Sequence, residues 1–215
     1  SFRAMREQLQ AGLNMGIAGI PWWTSDIGGF LGGDISDPAF RELLVRWFAW
    51  GAFCPVFRMH GERSPWHERE QEFRNGVRQL TSGQDNEVWS FGEDYYEILK
   101  KYLFIRENLR PYIRTCMQQA SESGSPVMRP LFYDFPEDPA SWEVEDSYMF
   151  GPDLLVSPVM EAGADSRTIY LPRGAQWTDA YTHKVYEGGQ TVTVPAPIDV
   201  IPVMVRDGKA FRIYE

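Results

Sequence analysis

Trp22-Trp23-Thr24-Ser25-Asp26-Ile27-Gly28-Gly29-Phe30 closes a short apolar run that begins at Gly16. A second run of the same kind, Cys54-Pro55-Val56-Phe57-Arg58-Met59-His60-Gly61, follows one helix later. Both stretches are too short and too glycine-punctuated for helices, so they predict buried strands. Each ends in polar, hydrogen-bonding side chains beside aromatic rings and glycine. A pocket for a sugar at the mouth of a barrel is assembled from such parts.

Helices surround the two runs. Phe2, Met5, Leu9 and Leu13 recur on one helical face over residues 2–16. Asp37-Pro38 reads as a helix start, a capping Asp followed by Pro at the first helical position, and Gly51 ends that helix. Tyr95, Ile98, Leu99, Tyr102, Leu103, Ile105 and Leu109 give a long helical pattern over 93–122, which Pro111 should kink or split. Val127-Met128-Arg129-Pro130-Leu131-Phe132-Tyr133 is a third strand candidate. Residues 61–88 form a polar loop, anchored by Trp66 and Trp89, and a loop of that length is more often functional than idle.

After residue 130 the helical period disappears. Leu154–Met160, Thr168–Leu171, Thr191–Val194 and Val200–Val205 are short apolar runs separated by Gly, Pro and Asp. That is the pattern of a small antiparallel β-sandwich. The fold expected is therefore α/β: the C-terminal portion of a (β/α)8 TIM barrel over residues 1–130, then a small all-β sandwich over 131–215. Helix and strand alternate in the first part as in a parallel sheet. About three strand–helix units cannot close a barrel of eight.

Composition bounds the function. The 215 residues are 43% hydrophobic, enough for a sizeable core, and the net charge of −9 argues against a nucleic-acid partner. No apolar stretch is long enough to span a membrane. Cys54 and Cys116 fit no metal spacing and read as buried apolar residues. The chain opens directly into a helical pattern with no targeting segment, which leaves localisation open, as it does the oligomeric state. Eight Trp suggest either a ring-filled core or stacking on sugar rings.

Asp26 stands where strand gives way to loop, the position that faces the active site in a β/α barrel. The bland alternative is a turn-making Asp that bonds its own backbone ahead of Gly28-Gly29. An ionised carboxylate only accepts hydrogen bonds, so it could hold two adjacent sugar hydroxyls. His60 ends the second run in the equivalent place, though a lone His is more often a satisfied core or surface residue. Arg58 lies two residues earlier, on the same face of a strand. Facing inward, Arg58 needs a carboxylate partner, and Asp26 is the natural one. Asp34, Asp37 and Glu62 read as loop or cap acids. Glu68, Glu70 and Glu72 read as a solvated run, and Glu143, Glu145 and Asp146 flank Trp142 near the junction of the two parts. His67 and His183 fit no ligand spacing, so no metal is assigned.

Trp23–Phe30, the Asp37-Pro38 helix with Arg46-Trp47, Gly51–Pro55 and Arg58-Met59-His60 resemble glycoside hydrolase family 31, the retaining α-glucosidases and α-xylosidases. Leu109-Arg110-Pro111-Tyr112, Met128–Leu131 and Phe150–Val159 resemble its later segments in the same order. The resemblance implies that Asp26 and His60 bind hydroxyls of the nonreducing-end sugar, that Arg58 supports the carboxylate, and that Phe30 and Trp23 line an aromatic wall. It implies an α-linked carbohydrate as partner and no cofactor. Nothing in the chain matches the family's nucleophile or acid/base, so both are expected upstream of Ser1. Retaining hydrolysis needs two carboxyl groups across the glycosidic bond. The isolated chain is therefore expected to be inactive, and to associate through open strand edges. The rival reading is a non-catalytic carbohydrate-binding module, which would present a row of exposed aromatics on one sandwich face.

Overall fold

The computed structural model describes residues 1–65, 73–74, 77–78 and 83–214. Trp66, His67, Glu68, Glu70 and Glu72 lie outside the described residues. The first helix, α1 (Phe2–Ile17), starts at Ser1, whose hydroxyl accepts from the Ala4 N–H. It buries Met5, Leu9, Gly12, Leu13 and Gly16 along one side. Helix α2 (Pro38–Gly51) starts as anticipated, with the Asp37 carboxylate accepting from the Ala39 N–H at 2.9 Å. From Leu43 to Gly51 every residue of α2 is buried, so this helix lies at the centre of the molecule.

A short hairpin, β1 (Phe73–Arg74) and β2 (Val77–Arg78), precedes α3 (Glu93–Asn108) and α4 (Arg110–Ser123). The break between α3 and α4 is the split anticipated at Pro111. Its missing N–H is harmless in the first turn of a new helix but would disrupt the interior of a longer one.

Two strand expectations need correction. Among the described residues, neither 16–23 nor 54–60 is assigned to a strand. The two segments do run side by side in parallel. Val56 N–H donates to Trp23 O at 3.0 Å, Glu62 N–H to Phe30 O at 2.8 Å and Ser64 N–H to Gly33 O at 3.0 Å. These bonds are too sparse for a ladder. The third candidate, 127–133, is a strand only at β3 (Met128–Pro130) and then coils into α5 (Leu131–Asp134). It pairs antiparallel with β4 (Tyr148–Phe150), so it belongs to the later sheet. Pro130 is tolerated because β3 lies at the sheet's edge.

A short 3-10 turn (Pro139–Trp142) precedes β4. Then come β5 (Leu154–Val156), β6 (Ser166–Leu171), β7 (Gln176–Asp179), β8 (Val185–Glu187), β9 (Gln190–Pro195) and β10 (Val203–Arg206). Six of them form one antiparallel sheet in the order β3-β4-β5-β10-β7-β8, and β6 pairs with β9. Strand alternation divides the side chains between two cores. Tyr148, Phe150, Leu154, Val156, Val203 and Val205 join the helical core. Met149, Leu155 and Met204, the residues between them, join Leu131, Ile169, Leu171, Trp177 and Val194 under the β6–β9 pair. The sheet is thus buried on both faces and holds the helical part against the sandwich. Cys54 and Cys116 are free and buried, and burial pushes the Cys54 thiol up to about 12.

Candidate functional site

The residues from Pro21 to Ile27 alternate although they form no ladder. Ser25 and Ile27 are buried, and Trp23 packs against the helical core. The Ser25 hydroxyl accepts from the Trp47 indole N–H at 2.9 Å. A Cβ placed on Gly12 of α1 would lie 2.4 Å from the Trp23 indole nitrogen, so this ring rests directly on the helix. Trp22 is 69% exposed, and the Asp26 side chain is partly exposed. Trp23 N–H donates to Pro21 O at 3.1 Å, so the chain turns at Trp22, and Trp23 stays partly buried between α1 and the core.

The Asp26 turn is closed by backbone, with Gly29 N–H donating to Asp26 O at 2.8 Å. That leaves the carboxylate to Arg58, whose Nη2 donates to Asp26 Oδ1 at 2.5 Å. The Asp26 side chain is 24% exposed and that of Arg58 49%. An ion pair this open adds little stability. Its consequence is geometric, because it fixes the direction in which the carboxylate points. Arg58 is more open than the inward-facing residue anticipated from the sequence.

His60 lies two residues beyond Arg58, and both are exposed while Met59 between them packs against the core. The His60 ring meets the Phe30 ring with centroids 5.4 Å apart at 30°. The Asp26–Arg58 and Phe30–His60 pairs thus join the ends of the two neighbouring segments. Phe30 is 51% exposed, which leaves an aromatic surface beside a fixed carboxylate and an imidazole. Such a set can accept from hydroxyls, donate to them and cover the apolar face of a sugar ring.

The other acids have structural work. Asp34 accepts from the N–H and hydroxyl of Ser36, and the hydroxyl bond leads in lowering its pKa. Asp37 caps α2. Glu145 accepts from Gln10 of α1 and Asp146 pairs with Arg6 of α1 at 3.8 Å, contacts that tether the helical part to the sandwich, and Asp146 also pairs with Arg167 at 2.6 Å. Among the described residues no group of three or more His, Cys, Asp or Glu could hold a metal ion. No helix among them is long and apolar enough to cross a membrane.

Arg63 escaped the sequence reading. It is completely buried beneath the Asp26 turn and donates to the carbonyls of Ile27, Gly29 and Gly32. Nothing in the sequence around it separates it from an exposed loop arginine, and its close approach to Gly28 shows only in the folded chain.

The chain matches two family descriptions in sequence. "Glycosyl hydrolases family 31 TIM-barrel domain" covers residues 1–116, and "Glycosyl hydrolase family 31 C-terminal domain" covers 124–211. It is 37% identical to an alpha-xylosidase of Saccharolobus solfataricus over 95% of this chain and 25% of that protein. It is 34% identical to alpha-glucosidase 2 of Bacillus thermoamyloliquefaciens over 98% of this chain and 24% of that protein. A GH31 alpha-xylosidase from a soil metagenome, solved in complex with xylose, superposes with a TM-score of 0.94 at 56% identity, over 98% of this chain and 31% of that one. The chain thus spans about a quarter to a third of the proteins it resembles. It carries the C-terminal part of their barrel and the β domain that follows, and it belongs to glycosyl hydrolase family 31.

Proposed function

We propose that this chain is the substrate-holding segment of a retaining α-glycosidase that releases a nonreducing-end α-linked xylose or glucose. Residues 1–123 supply the last part of the barrel, and the chain from β3 onward forms the sandwich that supports it. Asp26 accepts from two hydroxyls of the terminal sugar, His60 donates to a third oxygen, and Phe30 covers the ring. Arg58 fixes the Asp26 carboxylate. The nucleophile and the acid/base reside upstream of Ser1, and the reaction proceeds by double displacement through a covalent glycosyl-enzyme.

The observation that carries this reading is the pairing of Asp26 with Arg58 beside the Phe30–His60 contact, at matching ends of two parallel segments. Xylose is the first sugar to test, because the 56%-identical structure is an alpha-xylosidase complexed with it. Trp23 contributes indirectly, by seating the Asp26 segment on α1. The binding-module reading requires a row of exposed aromatics on a sandwich face, but Trp177 is fully buried and the exposed Tyr133, Trp142 and Tyr181 lie outside the strands.

The test compares turnover of aryl α-xyloside and aryl α-glucoside by the full-length protein and by the 215-residue chain alone. Hydrolysis by the full-length protein with none by the isolated chain is the outcome anticipated. Hydrolysis by the isolated chain would sink the division of labour between the segments.

A further inference from the structure

Arg63 is a buried cation held by neutral oxygens. Its Nη1 donates to Gly29 O at 2.8 Å and Gly32 O at 3.2 Å, with Glu62 O at 3.4 Å, and its Nη2 donates to Ile27 O at 2.7 Å. Its Nε donates to the Asn86 side-chain oxygen at 2.8 Å, and the guanidinium carbon lies 5.2 Å from the centre of the Phe40 ring. None of these acceptors is a carboxylate. Burial of a guanidinium in this way is tolerable only because its donors are occupied. The planar fork lets one side chain reach several carbonyls at once, which a lysine ammonium cannot reproduce.

The acceptors identify what Arg63 holds. Ile27, Gly29 and Gly32 belong to the loop that carries Asp26 and Phe30. Glu62 follows His60 on the neighbouring segment, and the Asn86 amide extends the same grip to Gly61 O at 3.4 Å. The approach is so close that a Cβ on Gly28 would lie 3.0 Å from Arg63 Nη2, and one on Gly61 would lie 2.6 Å from Phe30 O. Both glycines also have positive φ, 81° and 127°. Arg58 acts on the Asp26 carboxylate from the open side, whereas Arg63 acts on the backbone beneath it.

We propose that Arg63, oriented by Asn86, is the positioning residue of the sugar pocket, setting Asp26 and Phe30 against His60 without touching the sugar. The inference rests on the sugar-binding reading above. Displacing a pocket carboxylate by about an ångström can lower the rate roughly 100-fold.

The experiment measures kcat and KM for an aryl α-xyloside with the full-length protein, its Arg63→Met, Arg63→Lys and Asn86→Ala variants, Asp26→Ala, and the Arg63→Met/Asp26→Ala double variant. The folded fraction of each is determined by active-site labelling and melting. Arg63→Met should lower kcat/KM roughly 100-fold per folded molecule, with Arg63→Lys giving no rescue. Asn86→Ala should lower it about tenfold, the equivalent of one hydrogen bond to a charged group at the weak end of its range. In the Asp26→Ala background the further loss from Arg63→Met should be less than about threefold, since both substitutions remove the same hold. A purely structural Arg63 would reduce the folded fraction and leave KM unchanged, which overturns the proposal, as would losses that multiply. If Arg63→Met does not fold, unchanged constants in Asn86→Ala overturn it instead. A wild-type protein that turns over no α-glycoside overturns the sugar reading and this inference together. Turnover by wild type with unaltered variants overturns the inference alone.

Discussion

The sandwich and the pocket-bearing segments satisfy their backbones in different ways. In the sandwich, strands pair throughout: β6 and β9 alone match six residues each, and β5, β10 and β7 follow one another as neighbours. In the pocket-bearing part, the segments at 20–33 and 55–64 share only scattered backbone bonds, and guanidinium groups hold further carbonyls. Arg63 holds the Asp26 loop, and Arg106 of α3 donates to the carbonyls of Ala52, Cys54 and Pro55 ahead of the second segment. Arg46 of α2 donates to Ala164, Ala196, Pro197 and Val200, and so binds the helical part to the sandwich loops. A ladder gives a uniform surface. An arginine gripping loop carbonyls gives an irregular backbone from which Asp26 and His60 can project at chosen angles.

The comparison predicts that sandwich substitutions change stability and leave sugar recognition alone. Trp177→Ala should have the largest effect. The ring is fully buried in the second core, packs 5.8 Å from Phe135, and donates through its indole N–H to Pro172 O. Its loss should lower stability by about 3–5 kcal/mol in a denaturant melt. KM per folded molecule should not move, and a shifted KM would blur the division between the regions.

Asp138 comes next. Its carboxylate accepts from the Tyr170 hydroxyl at 2.7 Å, from Arg173 N–H at 2.8 Å and from Ala140 N–H at 3.3 Å. Burial pushes its pKa up, but these three donors outweigh burial and hold it below the usual carboxylate range. Burial and the bond to Asp138 push the Tyr170 hydroxyl up to about 12. A depressed folded-state pKa stabilises above the unfolded value of about 3.9, and that contribution is lost as pH falls through the folded value. Asp138→Ala should therefore cost roughly 2–3 kcal/mol at neutral pH. The difference from wild type should close as melts are taken below about pH 4. A gap that persists in acid would place the effect in packing rather than in the charge.

Trp22→Ala should be the mildest. The ring is 69% exposed, so the melt should scarcely change. A stacking contact with the sugar would raise KM by about fivefold in the full-length protein, the equivalent of about 1 kcal/mol. Trp23→Ala should do the reverse, because its ring lies on Gly12 of α1, and lower stability more than affinity. Equal effects from the two would contradict the difference in their exposure and packing.

Much of the fold was legible. The α1 stripe of Met5, Leu9 and Leu13, the Asp37-Pro38 start and the break at Pro111 depend on local periodicity and backbone chemistry, and the structure keeps all three. Strands β4, β7 and β8 were not anticipated, because Tyr148–Phe150 is short and Gln176–Asp179 and Val185–Glu187 carry polar residues. Their existence depends on partners distant in sequence. Within the pocket, the pairing of Arg58 with Asp26 followed from charge and spacing. The seat of Trp23 on Gly12 of α1 did not, because it depends on a contact with another element. Arg63 was out of reach because nothing in a Gly-Glu-Arg-Ser loop marks one arginine as buried.

The most direct test of the account is Asp26→Ala in the full-length protein, with kcat/KM for an aryl α-xyloside measured beside the melting temperature. A half-open ion pair should be nearly dispensable for stability, whereas a carboxylate holding two sugar hydroxyls should not be for turnover. The account predicts an almost unchanged melt and a loss of kcat/KM of roughly 1000-fold. Turnover equal to wild type would contradict it.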